Sequence, residues 1–336
     1  MTILVFGQQR WGGFLARQLN RYGRSWRVTA VYDNISAPEF RIPSVRALRN
    51  ADVVIRVGYP VGSPTIRGRA FDAFWSIVHR INRSALYMHY WIGTDVQSVV
   101  RYSSENRLRT GVFERYATEI HAVCASRLAN ELRPLDIGAV DLPFDGLDLP
   151  PVDEKCLALP SQFTVLTYIP NERWAFYGGN QLIAVATRLP RTQFVVVGGN
   201  GKWLAHPLSN VSFLGWRNDM VDLYGTCSAV LRLAQHDAVG GTVIEGLAMG
   251  RHVIYNYPVP FTTTVDFDDT EAIIGAVKHL EQRHESGTLE LNLDGRRWAL
   301  ANYDEDRLIR RLCEFMARKL TTRRSDGNGC TAGEQT

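Results

Sequence analysis

The sequence predicts an α/β protein made of two parallel-sheet halves, and three observations carry that prediction. Short apolar runs alternate with longer amphipathic segments from one end of the chain to the other. The alternation breaks at one proline-rich stretch, 149-LPPVDEKCLALPSQ-162, and then restarts. At 336 residues the chain is longer than a single core usually supports, so two domains are expected.

The elements follow in order. Apolar runs 2–6 "TILVF", 27–32 "RVTAVY", 52–57 "DVVIRV", 85–89 "ALYMH", 120–124 "IHAVC" and 139–142 "AVDL" read as strands of the first half. Helical patterns fill gaps between them, at 12–22 "GGFLARQLNRY" and 68–81 "GRAFDAFWSIVHRI". The second half has strands 163–168, 193–198, 211–214, 229–233 and 252–255, with helices from about Gly179 to Arg188, at 217–225 and at 241–249. Helices near 270–285 and 304–320 close the chain. The expected boundaries are a first domain at 1–148, a linker at 149–162, a second domain at 163–303 and a C-terminal helix at 304–321 that crosses back. The tail 322–336, "TRRSDGNGCTAGEQT", lacks apolar residues able to pack and is expected to be disordered. Two Rossmann-like domains facing across a cleft are the simplest account, with ligands at the carboxyl ends of the strands.

Composition narrows the function. The chain is 45% hydrophobic and 21% charged, ordinary values for a soluble globular protein. No apolar run reaches the roughly 18 residues of a membrane span. "MTILVFGQQRWGGF" has no basic leader or cleavage site and reads as a first strand. Cys124, Cys156, Cys227, Cys313 and Cys330 are scattered singly, which favours a reducing cytosol and argues against a zinc site or disulfide framework. The histidines show no HxxxH or HExxH spacing, so no metal site is expected. Net charge is only +4, but segment 101–133 holds six arginines against four glutamates. That segment is either a solvated helical face or a patch for anionic lipid headgroups, each cation contributing about 1 kcal/mol there. Basic and aromatic residues do not interleave in a nucleic-acid module.

The most informative stretch is 231-LRLAQHDAVGGTVIEGLAMGRHVIYN-256. A strand delivers the chain to the sheet's carboxyl edge, Asp237 follows in the loop, and Gly240–Gly241 open a helix that carries Thr242 and Glu245. Glycines there let backbone approach a ligand closely, and the free N–H groups of a helix start suit an anion such as a diphosphate. Glu245, one turn further, can accept two hydrogen bonds at once, which fits a ribose diol. A strand–loop–helix joint with a surface acid is the alternative reading of the same pattern.

This stretch resembles the nucleotide-sugar signature of GT-B-fold glycosyltransferases of the large retaining family: an acid, seven residues and an acid, with glycines between, then "EAMAxGxPVI". Here it reads Asp237–AVGGTVI–Glu245 followed by "GLAMGRHVI", with Asp standing for the usual first Glu. Other stretches fall in the family's order, among them "FTVLTYIPNERWAFYGGNQLIAVATRLPRTQFVVVGGNGK" and "NVSFLGWRNDMVDLYGTCSAVL". The resemblance implies a donor site of Arg173, Lys202, Asp237, Gly240, Gly241, Thr242 and Glu245. Arg173 and Lys202 would neutralise the diphosphate, while Phe176 or Tyr177 occupies the family's lysine position. Gly12 and Gly13 resemble a glycine loop that approaches the donor phosphates, although "GQQRWGG" is not GxGxxG and no dinucleotide cofactor is expected. In "YMHYWIGTDV", His89 is expected at a strand end near the reacting sugar. Asp95 either holds the acceptor hydroxyl or caps the next helix.

The function so implied is transfer of a sugar from a nucleotide-diphosphate sugar to a glycan or lipid-linked acceptor, retaining and metal-independent. His89, Asp95, Arg173 and Asp237 are its expected catalytic residues, and the domains are expected to close over the donor. No cofactor is implied beyond the co-substrate. The expected place is the cytoplasm, with peripheral contact at the inner face of the membrane. A GT-B-fold nucleotide-sugar epimerase and a non-catalytic nucleotide-sugar-binding subunit are the alternatives.

Overall fold

A computed structural model describes residues 1–7, 9–23, 25–32, 43–109, 111–112, 119–147, 152–154 and 157–329. The chain divides into two compact units: Met1–Gly146 together with the segment from Glu305, and Leu147–Asp304.

In the first unit β1 (Thr2–Gly7), β2 (Arg27–Tyr32), β3 (Val53–Val57), β4 (Leu86–Trp91), β5 (Ile120–Val123) and β6 (Ala139–Asp141) form one sheet in the order β2-β1-β3-β4-β5-β6. Every pairing is parallel. Parallel neighbours need crossovers, and α1 (Gln9–Tyr22), α2 (Val45–Arg49), α3 (Ile66–Ile81), α4 (Thr94–Ser104) and α5 (Ser126–Leu132) lie between successive strands. Side-chain caps begin two of them: Ser44 Oγ accepts from the Ala47 N–H at 3.1 Å, and Thr65 Oγ1 from the Gly68 N–H at 3.1 Å. β3 and β4 are buried along their whole lengths, as strands covered on both faces must be.

Two expectations shift here. The α1 helix begins at Gln9, so Gly12 and Gly13 lie inside it and not in a loop after β1. A Cβ on Gly12 would stand 3.0 Å from the Gly7 Cα, so this glycine lets α1 pack directly on β1. β4 runs to Trp91 because Tyr90 and Trp91 are themselves core residues, so His89 lies within the strand and not at its end.

The chain returns to the first unit as α11 (Glu305–Gly329), whose Ile309, Leu312 and Met316 join a core with Leu15 and Leu19 of α1 and Val5, Ile55 and Met88 of the sheet. The helix does not stop at residue 321 as expected. Arg323 donates to the carbonyls of Ala85 at 2.7 Å and Arg83 at 3.0 Å, which anchors the last turns that apolar packing alone would not hold. Residues 322–329 are therefore helical, and 330–336 lie outside the described residues.

The second unit repeats the plan. Strands β7 (Thr164–Tyr168), β8 (Gln193–Val197), β9 (Val211–Phe213), β10 (Ala229–Arg232), β11 (His252–Tyr255) and β12 (Thr263–Thr264) make a parallel sheet in the order β12-β11-β10-β7-β8-β9. Alternation along the strands splits the core in two. Val165, Val196, Leu231 and Ile254 pack with α6 (Gly179–Arg188) and α9 (Thr270–Glu285). Leu166, Val197, Val230 and Val253 pack with α7 (Met220–Gly225), α8 (Gly241–Ala248) and Ala299 of α10 (Leu293–Asn302). The expected linker belongs to this unit where it is described. Leu157 and Leu159 pack against its cores, and Arg251 donates to the Ala158 carbonyl at 2.7 Å. The second unit thus begins at Leu147, and Leu149 lies outside the described residues.

Candidate functional site

Because the second sheet is parallel, the loops after β7, β8 and β10 leave from one edge, and these strands are neighbours. Arg173 sits in a 3-10 turn after β7, Lys202 in the loop after β8, and Asp237 in the loop after β10. The Gln235 N–H donates to the Phe176 carbonyl at 3.0 Å, which joins the first and third of these loops. Asn171 Oδ1 accepts from the Asn200 N–H at 3.1 Å, and Trp174 stacks on Trp203 at 5.0 Å, which joins the first and second. The expected donor residues therefore come from loops tied to one another.

Helix α8 starts at this edge. Gly240 is its N-cap, with φ −67° and ψ 137° and no side-chain cap. That backbone suits any residue, so the requirement for glycine lies in the space around it. A Cβ on Gly240 would stand 2.7 Å from Arg232 Nε and 3.0 Å from Asp237 Oδ2. A Cβ on Gly241 would meet only Glu245 Oε1, at 3.5 Å, so the chain is uncrowded at this glycine. The Thr242 hydroxyl in that turn has no hydrogen-bond partner among the described residues. Glu245 is oriented by Tyr224, whose phenol donates to Oε2 at 2.6 Å. Burial, and after it Glu245 itself, holds the Tyr224 pKa well above the usual value, so the phenol keeps its proton and remains the donor.

Sequence reasoning missed Arg232. It ends β10, is 6% exposed, and reaches Asp237 Oδ2 through Nε at 3.0 Å and Nη2 at 2.7 Å. Its guanidinium carbon lies 4.7 Å from the Tyr177 ring centre and 5.4 Å from that of Tyr168. Burial works against its charge, but Asp237 outweighs burial and raises its pKa. The only signal in the sequence is a cation at the end of an apolar strand, five positions before an acid. Arg173 is exposed and lies 3.8 Å over the Phe176 ring. Lys202 is exposed as well, with its backbone N–H on Asn200 Oδ1 at 3.3 Å.

The first-unit candidates are placed differently. His89 is fully buried and stacked on Trp91 at 3.9 Å, in register with Arg56 on β3 and His121 on β5. Burial, then Arg56 and His121, pushes its pKa well below the imidazole range. His121 is likewise pushed down to about 4, first by burial. In this arrangement the neutral His89 lies in the core of the first unit. Asp95 is 2% exposed, and its carboxylate accepts from the N–H groups of Ile92 at 3.1 Å, Gly93 at 2.9 Å and Val96 at 3.0 Å. Of its two expected roles, the structure shows the one that shapes the start of α4. In the arginine-rich segment, Arg107 pairs with Glu105 at 2.9 Å, Arg109 with Asp72 at 3.3 Å, and Arg127 with Glu131. Arg115 lies outside the described residues. No helix among the described residues is long and apolar enough to cross a membrane.

No protein-family model matches the sequence, and no curated protein matches it. Solved structures do match. Sucrose-phosphate synthase from Thermosynechococcus elongatus is 14% identical with a TM-score of 0.70, over 96% of this chain and 100% of its own. HepE from Anabaena, solved with UDP and glucose, is 13% identical with a TM-score of 0.69, over 95% and 100%. A glycosyltransferase from Rickettsia africae is 15% identical with a TM-score of 0.62, over 95% and 98%. At such identities the likeness defines the fold: the chain has the GT-B fold, with two parallel α/β units and a C-terminal helix that returns to the first.

Proposed function

We propose that this chain is a glycosyltransferase that moves a sugar from a nucleotide-diphosphate sugar to a glycan or lipid-linked acceptor, with retention and without a metal. The observation that carries the reading is the start of α8. A helix N-terminus with no side-chain cap stands beside an oriented acid, Glu245, on a fold shared with glycosyltransferases solved with UDP. Cleavage of a sugar–phosphate bond builds negative charge on the leaving diphosphate. The start of α8, which has no side-chain cap, and the exposed Arg173 and Lys202 are the groups that would meet it. Glu245, oriented by Tyr224, is the acid that would accept from a ribose diol. Retention fits a site in which the leaving phosphate takes the acceptor proton. The cytoplasmic face of a membrane is the place where such a donor meets a lipid-linked acceptor.

The test is a thermal-shift screen of nucleoside diphosphates, UDP and GDP first, followed by donor turnover with a lipid extract. Stabilisation with transfer is the expected result. Isomerisation of the sugar would mark an epimerase, and tight binding without turnover a non-catalytic subunit. Glu245→Ala is expected to weaken nucleotide binding by about thirtyfold, the worth of two hydrogen bonds at about 1 kcal/mol each. Unchanged affinity would remove the ribose role.

A further inference from the structure

We propose that Arg232 is a positioning residue that cancels the charge of Asp237 at the start of α8, so that this edge of the sheet can accept an anion. The proposal rests on the functional reading above and adds to it the residue that sets the anion affinity. Both oxygens of Asp237 are engaged. Oδ2 receives Arg232 Nε at 3.0 Å and Nη2 at 2.7 Å, and Oδ1 receives the Ala238 N–H at 3.1 Å. The pair is packed against the helix start, because a side chain on Gly240 would collide with Arg232 Nε at 2.7 Å and Asp237 Oδ2 at 3.0 Å. The Tyr177 and Tyr168 rings, 4.7 and 5.4 Å from the guanidinium carbon, hold it from the other elements.

An aspartate so near a helix N-terminus opposes the anion that the first turn would otherwise attract. A buried arginine on the neighbouring strand end removes that opposition without leaving a net charge. Tyr177 adds to the case. It is the ring against which Arg232 packs, so the pair is held where its charge balance bears on the helix start.

The sign of the charge effect separates this role from direct contact between Asp237 and a sugar. UDP lacks the transferred sugar, so a contact between Asp237 and that sugar leaves UDP affinity untouched by Asp237→Asn. Charge balance instead predicts that Asp237→Asn frees the arginine and tightens UDP binding by about fivefold to thirtyfold at low salt, with the gain shrinking as salt is added. Arg232→Met should weaken UDP by a similar factor, and the double variant Arg232→Met/Asp237→Asn should return towards wild-type affinity. Calorimetry of UDP on the full chain and these variants reads all of this. A fold-preserving Asp237→Asn that binds UDP no more tightly than wild type overturns the proposal, and that single variant decides if Arg232→Met fails to fold. A double variant no better than Arg232→Met alone also overturns it. Wild-type protein that binds neither UDP nor GDP sinks the functional reading and this one together, whereas wild-type binding without the charge reversal sinks this one alone.

Discussion

At the scale of single residues, burial and hydrogen bonding pull against each other at Asp95. Burial raises its pKa to about 6, although backbone N–H groups from Ile92, Gly93 and Val96 favour its charged form. An acid whose folded pKa is raised adds stability below its unfolded pKa, near 3.8, and loses it as the pH climbs through about 6. Asp95→Asn has no such titration. Its stability minus that of wild type should therefore be greater at pH 7 than at pH 4, by about 3 kcal/mol at most. Denaturant melts at the two pH values measure it, and equal differences would mean that Asp95 titrates normally. The sequence left Asp95 with two roles because its spacing from the strand suits either a cap or a ligand contact, and only backbone geometry separates them. Arg232 was hidden for a related reason. An arginine closing an apolar strand reads as a solvated end, while its partner lies across a loop whose path no local pattern gives.

At the scale of elements, the row Arg56, His89 and His121 crosses three adjacent strands in register. Its anchor is Glu119, just before β5, which accepts from Arg56 at 2.6 Å and Trp75 Nε1 at 2.6 Å and meets His79 Nε2 at 2.7 Å. Burial alone would raise the Glu119 pKa, yet Arg56 and the hydrogen bonds bring it below the usual carboxylate range. Glu119→Gln keeps the shape and removes the charge. Breaking a fully buried ion pair in this way should cost about 3–5 kcal/mol, read as a lower urea midpoint. A loss below about 1 kcal/mol would mean that Arg56 is balanced from elsewhere. The main strands were legible because parallel strands buried on both faces are continuous apolar runs. The five-residue α2 and the two-residue β12 were not, since neither is long enough to show a period. β4 was ended too early at His89, which is here one of a buried row inside a strand that runs to Trp91.

At the scale of the molecule, the first unit is not continuous in sequence, and its C-terminal part is structural. Glu305 opens α11 against Gly146, where a Cβ would stand 2.4 Å from the Glu305 Cα, and it binds Arg21 of α1 at 3.2 Å and Gln18. From there Ile309, Leu312 and Met316, each fully buried, fill the core beneath α1, while Arg311 and Arg323 donate to carbonyls at Asp141, Ala85 and Arg83. Burial of three such side chains is worth about 5–9 kcal/mol, comparable to the whole stability of a domain. Truncation after Asp304 should therefore unfold the first unit and leave the second, whose two cores contain no residue of α11. Amide exchange reads the difference directly. Protection should vanish from β1, β3 and β4 and persist in β7, β8 and β10. A milder truncation after Leu320 removes Arg323 but keeps the apolar anchors, and it should cost no more than about 1–3 kcal/mol. If the shorter cut proved as damaging as the longer one, the polar end of α11 would be holding the unit together, and the apolar anchors would not.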